Sequence, residues 1–310
     1  MRIKILGLAM ATLLFSCKKE TKVAQKEVKQ YTIEQFMDNE AVSGGSFSSD
    51  NTNLLVSSNR SGIYNVYTIP VKGGEMTAIT ASDSTSIFAT SYFPKDDRML
   101  FSADGNGDEI DHLFVRELDG TIADITPDKG AKASFYGWSK DYKSLYFGSN
   151  KRDPRFFDVY KLSVDGYASK MIYQNNDGLN FSGMSNDENF FALSKSLNTN
   201  DSDLFLYDVK TKEMIKINDN QSANSAQDFS EDNTTFYYTT DDGGEFAYLM
   251  SYDLKTKEKK KVMAKSWDIM GIGFTRNGKY MVVYTNEDGK NAIEVLDAQT
   301  MTPIALPDFD

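Results

Sequence analysis

One phrase recurs six times along this chain, and that repetition limits the possible folds more than any other feature. The copies are GGSFSSDNTNLLVSS, ATSYFPKDDRMLFSA, FYGWSKDYKSLYFGS, FSGMSNDENFFALSK, AQDFSEDNTTFYYTT and GIGFTRNGKYMVVYT. Their apolar anchors, Phe47, Phe93, Trp138, Met184, Phe229 and Phe274, stand 46, 45, 46, 45 and 45 residues apart. Seven positions after each anchor comes Leu54, Leu100, Leu145, Phe191, Phe236 or Met281. Between the two lies a run rich in Ser, Asp, Asn and Gly, the residues that close tight turns, so each copy reads as a β-hairpin.

The remainder of each repeat supplies two more strands. A polar loop leads to a strand containing Val66-Tyr67, Leu113-Phe114, Val159-Tyr160, Leu204-Phe205, Tyr248-Leu249 or Ile293. A second turn, such as LDGT or VDGY, then leads to a short segment such as MTAIT or TIADIT. Four strands in about 45 residues is the period of a β-propeller blade, whose sheet buries its faces only by stacking on neighbouring blades. The fold class is therefore all-β, a propeller of six four-stranded repeats over residues 41–86, 87–131, 132–177, 178–222, 223–267 and 268–310. The single helical pattern is YTIEQFMDN at residues 31–39, where Thr32 and Gln35 have the spacing of a capping box. With 40% hydrophobic and 13% aromatic residues, 310 residues suffice to bury a substantial core.

The first seventeen residues, MRIKILGLAMATLLFSC, carry Arg2 and Lys4 ahead of an apolar run at residues 5–15. That run is too short for a stable membrane span and has the form of a secretion signal. Its LLFSC end resembles a bacterial lipobox, which places a lipid on Cys17, the only cysteine in the chain. Residues 1–17 are thus read as a lipoprotein signal, 18–30 as a flexible tether and 31–310 as the propeller. The implied location is the envelope of a Gram-negative-type bacterium, periplasm or outer membrane, with the lipid as the only membrane contact. Disulfides play no part in a chain with one cysteine.

Charge and chemistry narrow the partners further. Without Arg2 and Lys4 the chain has 32 basic against 45 acidic residues, a balance near −13 that phosphate backbones repel, so nucleic acid is not an expected partner. The elbow-like spacing at Gly137 and Ser139 lacks the closing glycine of G-x-S-x-G, because Asp141 stands there. The other repeats put Ser48, Pro94, Ser185, Ser230 and Thr275 at that position, and proline cannot replace a nucleophile, so Ser139 reads as a turn residue. The single histidine, His112, cannot build a histidine-rich metal centre and has no elbow serine to serve as a triad base. In DGNGDE, residues 104–109, Asp104, Asn106 and Asp108 alternate as calcium ligands do, yet Glu109 and Val115 occupy the positions that want glycine and a bidentate acid. No catalytic residue, metal or cofactor is assigned.

Residues 149–160, SNKRDPRFFDVY, differ from the corresponding loops of the other repeats. Lys151, Arg152 and Arg155 concentrate positive charge beside Phe156 and Phe157, a composition suited to docking a ligand or partner. Paired arginines and phenylalanines that fill the gap between blades are the alternative.

The F-S-x-D turns resemble those of TolB-type propellers. More specifically, YTIEQFM, SGGSFSSD, VSSNRSGIYNVYTIPVKGG, KASFYGWSKDYKSLYFGSNKRDPRFFDVY and FAYLMSYDLKTKEKK resemble the N-terminal propeller of prolyl oligopeptidase-like serine peptidases, the acylaminoacyl and dipeptidyl aminopeptidase group. The similarity runs from about Tyr31 to the end. It implies a seven-bladed parent, so the six repeats are expected as its blades one to six, or alternatively as a closed six-bladed ring. In such enzymes the triad lies on a following α/β-hydrolase domain, whereas this sequence has no G-x-S-x-G and stops at Asp310 after the sixth repeat. The resemblance implies a propeller that caps an active site, excludes folded proteins and contacts short peptides. Its expected partners are a short peptide or a peptidase catalytic domain; a free-standing TolB-like module that binds peptide or protein is the alternative.

Overall fold

A computed structural model describes residues 28–307. The chain divides into two units, Met1–Glu40 and Ala41–Asp310. In the first, a single helical turn, Ile33–Met37, begins at Thr32, whose hydroxyl accepts from the Gln35 amide while the Gln35 side chain accepts from the Thr32 amide. That is the capping box read from the sequence. Cys17 and the signal lie outside the described residues.

The second unit is a six-blade, all-β propeller. The first strands of the blades are Val42–Phe47, Ile87–Tyr92, Ala133–Trp138, Asn180–Met184, Asn224–Phe229 and Ile269–Phe274. Five blades are four-stranded antiparallel meanders. The sixth has three strands, and its fourth is reduced to one bridge between Leu296 and Pro303. The TPIALP run carries two prolines, which cannot donate to a ladder and so cut the strand short.

Cross-strand register defines the repeat. Phe47 faces Leu54, Trp138 faces Leu145, Met184 faces Phe191, Phe229 faces Phe236 and Phe274 faces Met281. In blade 2 the equivalent pair is Tyr92 with Met99, so the anchor there is Tyr92 and not Phe93. Phe93 occupies the first turn position, its amide donating to the Arg98 carbonyl as that of Ser139 donates to Ser144. The apolar Phe93 and the following Pro94 shift the pattern by one residue in the sequence.

The turn after each anchor is built by its own side chains. In blade 3, Ser139 is buried, its hydroxyl donates to Asp141 at 2.8 Å, and it accepts from the Ser144 amide at 2.9 Å. Ser48 with Asp50, Ser185 with Asp187, Ser230 with Asp232 and Thr275 with Asn277 repeat this bond. Ser139 is therefore a turn residue.

These carboxylates are held below their ordinary range. Asp50 falls to about 2 through the Ser48 hydroxyl and then Thr52. Asp141 is lowered by the Lys143 amide and the Ser139 hydroxyl, and Asp232 first by the Ser230 hydroxyl. For Asp187 burial acts upward, but Ser185 and the Asn189 amide outweigh it. The native state thus binds protons more weakly here than the unfolded chain, whose aspartates titrate near ~3.9. The stability these groups contribute is complete above that value and is lost as pH falls toward 2. The melting temperature is expected to hold steady above about pH 5 and to fall between about pH 4 and 2. Replacing Asp50, Asp141, Asp187 and Asp232 together by Asn, the residue blade 6 uses at position 277, should flatten that fall; an unchanged acid profile would contradict the assignment. Asp228 acts in the opposite sense, since burial raises it against the amides of Phe274 and Phe229.

Five apolar clusters fill the five sequential junctions between blades. Leu55 and Val66 meet Tyr92, Met99 and Phe101 between blades 1 and 2, while Leu100, Leu113 and Val115 meet Leu145, Phe147 and Leu162 between blades 2 and 3. Val159 and Tyr173 meet Phe191 and Leu193 at the next junction. Ala192, Leu204 and Leu206 meet Phe229, Phe236 and Tyr238 after that, and Leu249 meets Ile269, Met281 and Val283 at the last. The anchor and its partner seven residues on therefore face the preceding blade, and the residue eight on, such as Leu55 or Leu100, faces the following one. The two terminal faces are less covered: Phe47 is 55% exposed, against 4% for Phe229 at the same position of blade 5, and Ile293 in the third strand of blade 6 is exposed where the equivalent Val66 and Leu249 are buried.

Candidate binding cleft between blades 3 and 4

Residues 149–160 form an extended hairpin and not a loop. The second strand of blade 3 runs Ser144–Asp153 and the third Phe156–Ser163, with Asp153 paired to Phe156 across a tight turn at Pro154 and Arg155. The β-branched and aromatic content of FFDVYKLS keeps this longer pairing extended.

The hairpin separates the three cations that composition groups together. Arg152 donates from Nε and Nη2 to both oxygens of Asp158, at 2.6 and 2.8 Å, and from Nη2 to the Asn175 carbonyl at 2.7 Å. Asp158 is fully buried and also accepts from the Asn175 amide. Asn175 in turn holds Leu179 through its side-chain amide and carbonyl. Arg152 thus ties the hairpin to the segment entering blade 4. Lys151 pairs with Asp128 at 3.0 Å and lies over the Tyr160 ring. Arg155 projects outward with its side chain 74% exposed, gripping Asp153 with two bonds and lying over Phe156. Its bonds hold the Asp153 carboxyl at about 2.

Phe156 and Phe157 are half-buried and form one wall of a cavity of about 210 Å³ with Tyr136, Asn175, Leu179 and Phe181. A second cavity, of about 140 Å³, is lined by Tyr136, Trp138, Lys140, Tyr146, Phe181 and Met184. Tyr136 and Phe181 line both, their rings stacked at 4.9 Å between blades 3 and 4. Together the two cavities form an aromatic cleft along the first strands of these blades. Gly148 makes it possible, because a Cβ there would lie 2.1 Å from the Tyr136 hydroxyl oxygen. Burial raises the Tyr136 phenol.

Lys151, Arg152, Arg155, Phe156 and Phe157 form the docking set that composition suggests, and the last three of them line the cleft. Tyr136, Trp138 and Phe181 join them from positions that composition does not mark. The available signal was Gly148, the one glycine at a position filled elsewhere by Ser57, Ser102, Ser194, Thr239 and Tyr284.

His112 lies in blade 2 with Nδ1 2.7 Å from Asp124 Oδ2. Asp104 and Asp108 accept from the backbone amides of Glu109, Gly105 and Ile110. Among the described residues no group of three His, Cys, Asp or Glu side chains is placed to hold a metal ion. The cleft offers stacking surfaces, amide groups and a cationic end, which is binding chemistry.

No curated protein matches the chain. Solved structures share the fold. A structure from a study of two prolyl endopeptidases superposes with a TM-score of 0.61 at 13% identity, over 87% of this chain and 43% of that one. The chain thus spans less than half of that enzyme's length. An oligogalacturonate lyase in complex with manganese gives 0.60 at 16% identity, over 84% of this chain and 75% of the other. TolB from Acinetobacter baumannii gives 0.51 at 15%, over 84% and 62%. The model of the prolyl oligopeptidase N-terminal β-propeller domain matches residues 75–309, most of the chain. With its blades and their register in place, this chain belongs to the prolyl oligopeptidase N-terminal β-propeller family.

Proposed function

We propose that the chain is the peptide-binding and substrate-gating propeller portion of a secreted, lipid-anchored serine peptidase of the oligopeptidase or dipeptidyl/acylaminoacyl type. Catalysis is supplied by a separate α/β-hydrolase unit. The observation that carries this reading is the aromatic cleft between blades 3 and 4, on a chain of this family. Stacked rings flanked by amides suit the side chain and backbone of a short extended peptide, and a ring of blades excludes folded chains from its interior.

The chain alone should bind without cutting. His112 is committed to Asp124, and Ser139 to its turn, so no nucleophile, base and orienting acid converge among the described residues. A fluorophosphonate probe is expected to leave the purified chain unlabelled; labelling at any serine would overturn the reading.

Cys17 is the proposed lipid attachment, which places the propeller on an envelope membrane. Metabolic labelling with a radioactive fatty acid should mark the wild-type chain and be abolished by Cys17→Ala. A wild-type chain that carries no label would refute the anchor.

A further inference from the structure

The first strand of each blade is the edge of its sheet, so alternate backbone groups along it face away from the ladder. The turn after blade 4's anchor shows which ones. The Ser185 amide donates to the Phe190 carbonyl, so that pair carries a ladder bond and the next pair, Met184 with Phe191, does not. The N–H and C=O of the anchor therefore point outward from the sheet.

Other blades clasp this outward amide with the side chain just before an anchor. Ser46 accepts from the Tyr92 amide of blade 2 at 2.9 Å. Asp228 accepts from the Phe274 amide of blade 6 at 3.1 Å and from the Phe229 amide of its own blade at 2.8 Å. Ser91 accepts instead from the indole nitrogen of Trp138 in blade 3 at 3.0 Å. One residue earlier, Gln227 adds a second clasp by accepting from the Ile272 amide at 3.0 Å.

Blade 3 offers blade 4 neither clasp. Gly137 and Tyr136 stand at the two positions, and the Tyr136 ring stacks on Phe181. A Cβ on Gly137 would meet no atom within 4 Å, so the place of the missing side chain is open space. Met184 is half-buried and keeps an N–H and a C=O without a partner among the described residues. It lines the smaller cavity of the cleft together with Gly137 and Gly183. A backbone donor and acceptor side by side on a strand edge match the donor and acceptor of another extended main chain.

We propose that an extended peptide binds the cleft through its main chain, pairing antiparallel with Met184, and that Gly137 is the residue that keeps this edge open. The proposal rests on the peptide-binding reading above and adds the mode of recognition. One peptide residue donates its N–H to the Met184 carbonyl and accepts from the Met184 amide, which leaves the peptide side chains to the rings of Tyr136, Trp138 and Phe181. Recognition by main-chain bonds makes the site tolerant of peptide sequence and demanding of an unsubstituted backbone.

The test follows the Met184 amide in the full chain labelled with heavy-nitrogen methionine, its signal being the one that Met184→Leu removes. In the free chain this amide should exchange with solvent fast, and Gly137→Ser, which supplies the hydroxyl that Ser46 supplies to Tyr92, should slow it about tenfold and weaken peptide binding by a similar factor. Gly137 has φ +150, so the serine variant carries backbone strain. If it folds poorly, the wild-type chain decides alone. N-acetyl-Ala-Phe-Ala-amide should protect the Met184 amide, and N-methylation of the peptide at one of its three residues should cost about tenfold in affinity by calorimetry. A Met184 amide that exchanges slowly in the free chain would overturn the open edge. A peptide that binds without protecting it, or binds equally well when each residue is N-methylated in turn, would overturn main-chain pairing and leave the peptide reading standing. No binding at all would remove both.

Discussion

Phe229→Ala should lower the stability of the chain by about 3–5 kcal/mol, and Phe47→Ala, at the same position of the repeat, by no more than about 0.5 kcal/mol. Phe229 is buried among Ala192, Leu204, Leu206 and Phe236, so truncation removes apolar burial and leaves a cavity that neighbouring blades cannot close. Phe47 is more than half exposed on the face of blade 1 that has no preceding repeat. Chemical denaturation of both variants measures the contrast. Equal losses would mean that Phe47 is covered in solution, and that the faces of blades 1 and 6 are joined by packing that these side-chain positions do not show.

Arg152→Ala should lower the melting temperature by on the order of 5 °C, whereas Arg155→Ala should shift it by less than about 1 °C. Removing Arg152 strands the buried Asp158 carboxylate, left with the Asn175 amide, and loosens the hairpin from the segment entering blade 4. Arg155 makes only an exposed pair with Asp153, of the kind that contributes little to stability. The effect on binding should be reversed in order. Arg155 lines the cleft and its loss should weaken peptide affinity with folding intact. A melt lowered by Arg155→Ala would make that residue structural too.

These contrasts show what a single sequence can and cannot display. The blades are legible because each turn is closed by its own residues, and because every strand must alternate faces to stack. The period therefore survives in Trp138 with Leu145 as clearly as in Phe229 with Phe236. Blade 2 misleads where a bulky turn residue, Phe93, stands beside the true anchor Tyr92. The cations of residues 149–160 read as a cluster because composition does not reveal partners, and Asp158 lies only six residues from Arg152. The bond from Lys140 of blade 3 to the Arg276 carbonyl of blade 6 is invisible for a deeper reason: the two residues are 136 positions apart, and turn positions vary freely between repeats because each meets a different neighbour. Of the cleft, Phe156 and Phe157 stand out by composition, while Tyr136 and Phe181 need the juxtaposition of two blades.

Calorimetric titration of N-acetyl-Ala-Phe-Ala-amide into the purified chain, with mass spectrometry of the recovered peptide, tests the central reading most directly. Saturable binding of an uncleaved peptide is expected, weakened about tenfold or more by Phe156→Ala with Phe157→Ala at an unchanged melting temperature. Absence of binding at any attainable concentration, cleavage of the peptide, or binding indifferent to the cleft variant would contradict it.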